Sequence, residues 1–121
     1  MRHLALLTAA VLAWPTLAQA EGDAALGKTA YGKCAACHSI KAGENKVGPS
    51  LHGVVGRASH SVEGYNYSEP MKAYSVTWDQ ATLDTYLINP RATVPGTRMV
   101  FPGIKSETER TNLIAYLETL K

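Results

Sequence analysis

Cys34-Ala35-Ala36-Cys37-His38 is the stretch on which the reading of this chain turns. Two thiols three positions apart, followed at once by an imidazole, form the attachment pattern of a c-type haem. The spacing suits two thioether bonds to vinyl groups on adjacent edges of one porphyrin. His38 is then held where a ring nitrogen can bind the iron. Three other uses of the residues are weaker. A redox dithiol wants a thioredoxin-like sheet, and no convincing strand pattern is present. A structural zinc site wants four ligands, and the chain has no second C-x-x-C and no H-x-x-x-H. A local disulfide leaves a shortage of core residues unexplained.

That shortage is visible on either side of the motif. Asp23 is a good N-cap for a helix through Ala24, Leu26, Ala30 and Tyr31 towards Cys34. Residues 39–67 then show no sustained period and carry Gly43, Gly48, Pro49, Gly53, Gly56 and Gly64, which read as turns. Ser68-Glu69-Pro70 opens a short helix, with proline in the tolerated first turn. Thr77-x-x-Gln80 reads as a capping box for a helix with Leu83, Tyr86 and Leu87, stopped ahead of Pro90. Residues 89–105 form a second irregular stretch. Ser106-x-x-Glu109 caps a last helix with Leu113, Ile114, Leu117 and Leu120 on one face. Long irregular stretches are uncommon in a small domain unless something organises them. With one Phe in the whole chain, a non-protein group is expected to fill the centre.

The chain begins with a separate signal. Arg2, the apolar run Leu4–Leu12, Pro15 and the small-x-small triplet Ala18-Gln19-Ala20 have the three parts of a secretory leader. The run is shorter than the ~20 residues a spanning helix needs. Residues 1–20 are therefore expected to be removed, leaving 21–121 as one domain outside the cytoplasm. The 121 residues and net charge of +2 exclude a large multidomain enzyme and argue against a dedicated nucleic-acid binder. Two cysteines are too few for a disulfide-dense miniprotein.

An iron with one histidine has a further position to fill. Outside the leader the candidates are His52, His60, Met71 and Met99. His52 sits in a turn close in sequence to His38, and His60 lies in a polar Ser-His-Ser stretch and reads as exposed. Met71 falls in a short helix, where methionine usually fills core space. Met99 lies between Pro95 and Pro102, on a loop otherwise hard to justify, and is the preferred ligand. His/Met ligation raises the iron's reduction potential. A filled position favours electron transfer over oxygen or peroxide chemistry. Trp78 has an indole N–H that seeks an acceptor when buried, which suits a haem propionate or an ordinary core position equally. Arg57 reads equally as a solvated turn charge.

From Ala24 to Leu120 the sequence resembles class I cytochrome c, of the mitochondrial type and its short bacterial periplasmic relatives. The resemblance rests on linked motifs in order. They are Cys34-x-x-Cys37-His38, Gly48-Pro49-Ser50-Leu51-His52-Gly53, Gly56-Arg57, Thr77-Trp78, Tyr86-Leu87, Asn89-Pro90, Pro95-Gly96-Thr97-x-Met99 and Leu113-Ile114-Ala115-Tyr116-Leu117. It implies an all-α fold, with several helices and wrapping loops around one haem c bound through Cys34 and Cys37. It implies His38 and Met99 as axial ligands and the Pro49 carbonyl as acceptor for the free ring nitrogen of His38. Tyr67, Trp78 and, less directly, Arg57 would hold the propionates, and Tyr86 would lie near the Met99 sulfur. The first and last helices would cross, with Gly27 permitting close approach. Two departures stand out: the loop after His38 is one residue shorter than in the mitochondrial type, and Met71 replaces a polar asparagine near the haem.

Charge adds an expectation about encounters. Residues 28–57 carry five basic and one acidic side chain, and 89–105 carry three basic and none acidic. Residues 58–88 carry one basic and four acidic. The positive segments are those bearing His38 and Met99, as expected of a carrier steered onto acidic docking sites. The expected function is one-electron transfer by a soluble periplasmic monomer with no enzymatic activity. By resemblance, the donor is a quinol–cytochrome c oxidoreductase and the acceptor a terminal oxidase, a reductase or a photosynthetic reaction centre. The competing reading is a haem peroxidase or gas sensor with a labile sixth ligand.

Overall fold

The computed structural model describes residues 22–121 and, before them, only Ala10 and Leu12. The cleavage site after Ala20 and the other leader residues lie outside the described residues. Five helices follow in order: α1 (Ala24–Tyr31), α2 (Glu69–Ala73), α3 (Gln80–Ile88), α4 (Pro90–Thr93) and α5 (Glu107–Glu118). No strand occurs among the described residues; Ala58 and Thr77 form one isolated antiparallel bridge. No helix among them is long and apolar enough to cross a membrane.

Local chemistry sets the helix starts. The Asp23 carboxylate accepts from the backbone N–H groups of Ala25 and Leu26, at 2.8 and 3.1 Å. Ser68 caps α2 by accepting from Met71 N–H. The capping box expected at Thr77 does not form. Asp79 is the cap, and its carboxylate accepts from Thr82 N–H at 2.8 Å. Thr77 is instead engaged in the bridge to Ala58. The second expected box forms by half: Ser106 accepts from Glu109 N–H, but the Glu109 carboxylate pairs with Lys33 beyond α1. Two further differences concern extent. α1 stops at Tyr31 and continues only as hydrogen-bonded turns through Cys37. The stretch 89–105 contains one short helix, α4, started by the Asn89 side chain accepting from Ala92 N–H.

α1 and α5 are the principal packed pair, with α3 against α5. Gly27 lies at the crossing, where a Cβ would sit 1.9 Å from the Asn112 carbonyl oxygen. The contact is closed by Tyr31 against Tyr116, with ring centroids 5.5 Å apart, and by Asp23 N–H donating to Asn112 Oδ1. The buried cluster runs through Leu83, Tyr86 and Leu87 of α3 to Leu113, Ile114 and Leu117 of α5, and takes in Val54, Trp78, Val94 and Ile104 from the loops. The buried side of this cluster does not close on itself. It forms the wall of a cavity.

Candidate haem site

The cavity has a volume of about 420 Å³ and is partly open to solvent. Cys34, Cys37 and His38 enter it from the turns after α1, and Met99 from the strap after α4. All nine residues singled out for the cofactor, namely these four with Pro49, Arg57, Tyr67, Trp78 and Tyr86, line this one space.

The attachment turn is held from several sides. The N–H groups of Cys37 and His38 both donate to the Cys34 carbonyl, at 3.1 and 3.0 Å. The Tyr31 hydroxyl donates to the His38 carbonyl, and Lys46 Nζ to the Ala35 carbonyl. Cys34 is half-buried and Cys37 exposed, and the two thiols are free. Burial pushes the Cys34 thiol above its ordinary range, against the opposing pull of Lys33.

His38 is fixed as a ring. Its Nδ1 lies 2.7 Å from the Pro49 carbonyl oxygen, which can only accept, so Nδ1 carries the proton and Nε2 keeps its lone pair. A Cβ on Gly48 would fall 2.3 Å from His38 Cε1, so the absent side chain makes room for the imidazole. Burial holds the ring below its usual pKa; the bond to Pro49 opposes this, while Arg57 and Lys46 add to it. The result is a neutral imidazole with one nitrogen committed and one available.

Met99 is held from two directions. The Tyr86 hydroxyl donates to its sulfur at 3.2 Å, and the Thr97 hydroxyl accepts from its backbone N–H. Burial raises the Tyr86 phenol to about 12, so it stays a donor. Trp78 packs on Tyr86 with ring centroids 4.9 Å apart. Met71 also lines the cavity and is half-buried, as befits a core methionine. His52 is not among the residues lining the cavity, and its backbone carbonyl accepts from Arg57. His60 is exposed as expected, yet it stands at the cavity mouth beside Tyr67, with a positive φ of 45°.

Whether the residues fit a haem is decided by the wall. It is largely apolar, as a macrocycle requires, with Leu51, Val54, Leu83, Leu87 and Phe101 contributing. At one place it is not. Arg57 donates from Nη1 to the carbonyls of Ser50 and His52, at 3.0 and 2.9 Å, while its Nε is buried with no partner. Burial also lowers the guanidinium from its ordinary value. A buried, unsatisfied cationic donor needs an acceptor, and a haem offers two carboxylates beside its apolar ring.

The sequence pattern of the family described as Cytochrome c matches residues 24–121. The chain belongs to the cytochrome c family. Among its relatives, cytochrome c-554 of Methylosinus trichosporium is 47% identical over 122 residues, covering 97% of this chain and 92% of its own. Cytochrome c-550 of Nitrobacter winogradskyi is 52% identical over 97 residues, covering 79% and 89%. The solved structure of cytochrome cH from Methylobacterium extorquens superposes with a TM-score of 0.76 at 46% identity, covering 81% of this chain and 99% of that one. As a class I cytochrome c, the protein has the all-α fold of the family, is an electron carrier and not an enzyme, and binds a c-type haem covalently through Cys34 and Cys37.

Sequence reasoning overlooked one group near the site. Arg110 of α5 is buried and ties the far end of the Met99 strap to α3. Its charge, on the apolar side of an otherwise regular pattern, was the available signal.

Proposed function

We propose that this cytochrome c is a periplasmic one-electron carrier with His38 and Met99 as the axial ligands of its haem. When bound, the haem supplies a ferrous–ferric couple; the chain makes and breaks no substrate bond. His38 Nε2 is free to ligate because Nδ1 is committed to Pro49. The Met99 sulfur retains a lone pair after accepting from Tyr86. Arg57, Tyr67 and Trp78 hold the propionates, Arg57 through its unsatisfied Nε. The observation that carries the reading is that a neutral imidazole and an anchored thioether share one apolar cavity with two free thiols. With both axial positions filled, electron transfer is favoured over the peroxidase or gas-sensor alternative.

The donor is a quinol–cytochrome c oxidoreductase, and the acceptor a terminal oxidase, a reductase or a photosynthetic reaction centre. Contact is through the cavity mouth, where Lys33 and Arg98 lie among the lining residues. Such an encounter is small, fast and screened by salt. The leader, residues 1–20, directs export and is removed, and the mature protein is a monomer.

The ligand assignment is tested in the ferric protein by a sulfur-to-iron charge-transfer band, expected in the parent and absent in Met99→Ala. Rapid carbon monoxide binding to the ferrous parent at neutral pH would refute it. Docking is tested by electron-transfer rates with a purified oxidase, expected to fall as ionic strength rises. Mass spectrometry of exported protein is expected to give a chain starting at Glu21, and gel filtration a monomer.

A further inference from the structure

The strap bearing Met99 has little structure of its own. Past α4 the chain runs from Val94 to Lys105 without helix or strand. On the upstream side Thr97 N–H donates to the Val94 carbonyl and Met99 N–H to the Thr97 hydroxyl. Val100, next to Met99, is 83% exposed, and only Phe101 beyond it packs back against the core cluster. Past Phe101, the backbone anchorage is concentrated at Gly103–Lys105. Gly103 passes so near the end of α3 that a Cβ would lie 2.0 Å from the Ile88 carbonyl oxygen. Ile104 N–H donates to the Leu87 carbonyl at 2.8 Å, and Ile104 itself is buried.

One guanidinium gathers this anchorage. Arg110 Nη1 donates to the carbonyls of Ile104 and Lys105, at 3.0 and 2.9 Å, and Nε donates to Asp84 Oδ1 of α3 at 2.7 Å. The Arg110 side chain is only 8% exposed. A buried cation is tolerated where its buried donors meet acceptors. Here those acceptors come from two different parts of the fold. Asp84 lies two residues from Tyr86, whose hydroxyl donates to the Met99 sulfur. The planar fork of arginine can reach a carboxylate and two carbonyls in fixed directions, which a lysine ammonium cannot reproduce.

We propose that Arg110 is a positioning residue for Met99: by locking the Ile104 and Lys105 carbonyls to Asp84, it holds the strap closed and the sulfur in the cavity. The proposal rests on Met99 being the sixth ligand. Imidazole added to the ferric protein can occupy that position only when the strap opens, so its apparent affinity scales with the open fraction.

Arg110→Lys is expected to raise the apparent imidazole affinity about tenfold, the equivalent of one lost charge-assisted hydrogen bond. Asp84→Asn leaves the carbonyl bonds in place and is expected to raise it about threefold. Glu109→Gln removes the ion pair between α5 and Lys33 without touching the strap, and is expected to leave the affinity unchanged. Parent affinity in Arg110→Lys, or an equal rise in Glu109→Gln, would overturn the proposal and leave Arg110 an ordinary helix anchor. Should Arg110→Lys fail to fold, parent affinity in Asp84→Asn overturns it on its own. A parent protein that binds imidazole as tightly as Met99→Ala, and has no sulfur-to-iron band, overturns the ligand assignment itself.

Discussion

Two effects of opposite sign meet at Gly27, and the structure decides between them. Alanine is favoured over glycine inside a helix by about 1 kcal/mol, so helix propensity alone predicts that Gly27→Ala stabilises α1. At this position, however, the new Cβ would lie 1.9 Å from the Asn112 carbonyl oxygen and 2.8 Å from Tyr116 Cβ. Contacts under 3.0 Å essentially do not occur, so α1 and α5 must part by about 1.1 Å. The obstructing oxygen belongs to a helix backbone and cannot rotate away as a side-chain tip would. Overpacking costs about 1–3 kcal/mol, and backbone obstruction places this case near ~3 kcal/mol on that scale. Subtracting the propensity gain leaves a net loss of about 2 kcal/mol. In a domain of this size that lowers Tm by roughly 8–16 °C. The assay is thermal unfolding of the haem-loaded protein by far-UV circular dichroism. Thr29→Ala, on the exposed side of α1, serves to measure propensity without the clash. A Gly27→Ala protein melting at or above the parent would refute the steric argument.

Three further outcomes follow from the site and its supports. Gly48→Ala puts a Cβ 2.3 Å from a ring held by Pro49, and is expected to lower Tm by roughly 8 °C or more and to perturb the low-spin absorption spectrum. The Tyr86 phenol, lifted from 10.0 to about 12 by burial, contributes stability that is fully present below pH 10 and lost as pH rises towards 12. Tyr86→Phe should remove that alkaline loss in urea titrations, and, with Met99 as the proposed ligand, should lower the reduction potential, because a sulfur freed of its hydrogen bond donates more density and favours the ferric iron. Asp79 has the opposite sign: hydrogen bonds from Thr82 hold its carboxyl below 3.8, so its capping contribution is present above that pH and lost as pH falls through the lowered value. Asp79→Asn, which caps without titrating, is expected to delete that component from acid unfolding followed by circular dichroism.

What was legible in the sequence was legible for local reasons. Cys34, Cys37 and His38 are adjacent, and Asp23, Ser68 and Ser106 each act on N–H groups two or three residues away. The errors arose where a residue had a more distant partner. Thr77 matched the start of a capping box, but the bridge to Ala58 claims it, and Asp79 caps the helix instead. Glu109 fits the reciprocal half of a capping box, but Lys33, 76 positions earlier, takes its carboxylate. α4 is four residues long, too short for any periodicity to register. Arg110 stands out as a charge on the apolar side of α5, but its partners did not show, because two of them are main-chain carbonyls. The unsatisfied Nε of Arg57 likewise emerges only when the loops around it are folded.

The core described above has an unusual ownership. Leu83, Tyr86, Leu87, Leu113 and Leu117 are counted both in the hydrophobic cluster and in the cavity wall. The surface that these helices bury in one another is continuous with the surface they offer to the haem. Free energy gained by occupying the cavity is therefore gained by the fold as well. A substitution in this wall cannot be sorted into one that weakens the protein and one that weakens the site. Melting temperature and retention of the iron's low-spin spectrum should rise and fall together across such variants, two views of a single equilibrium.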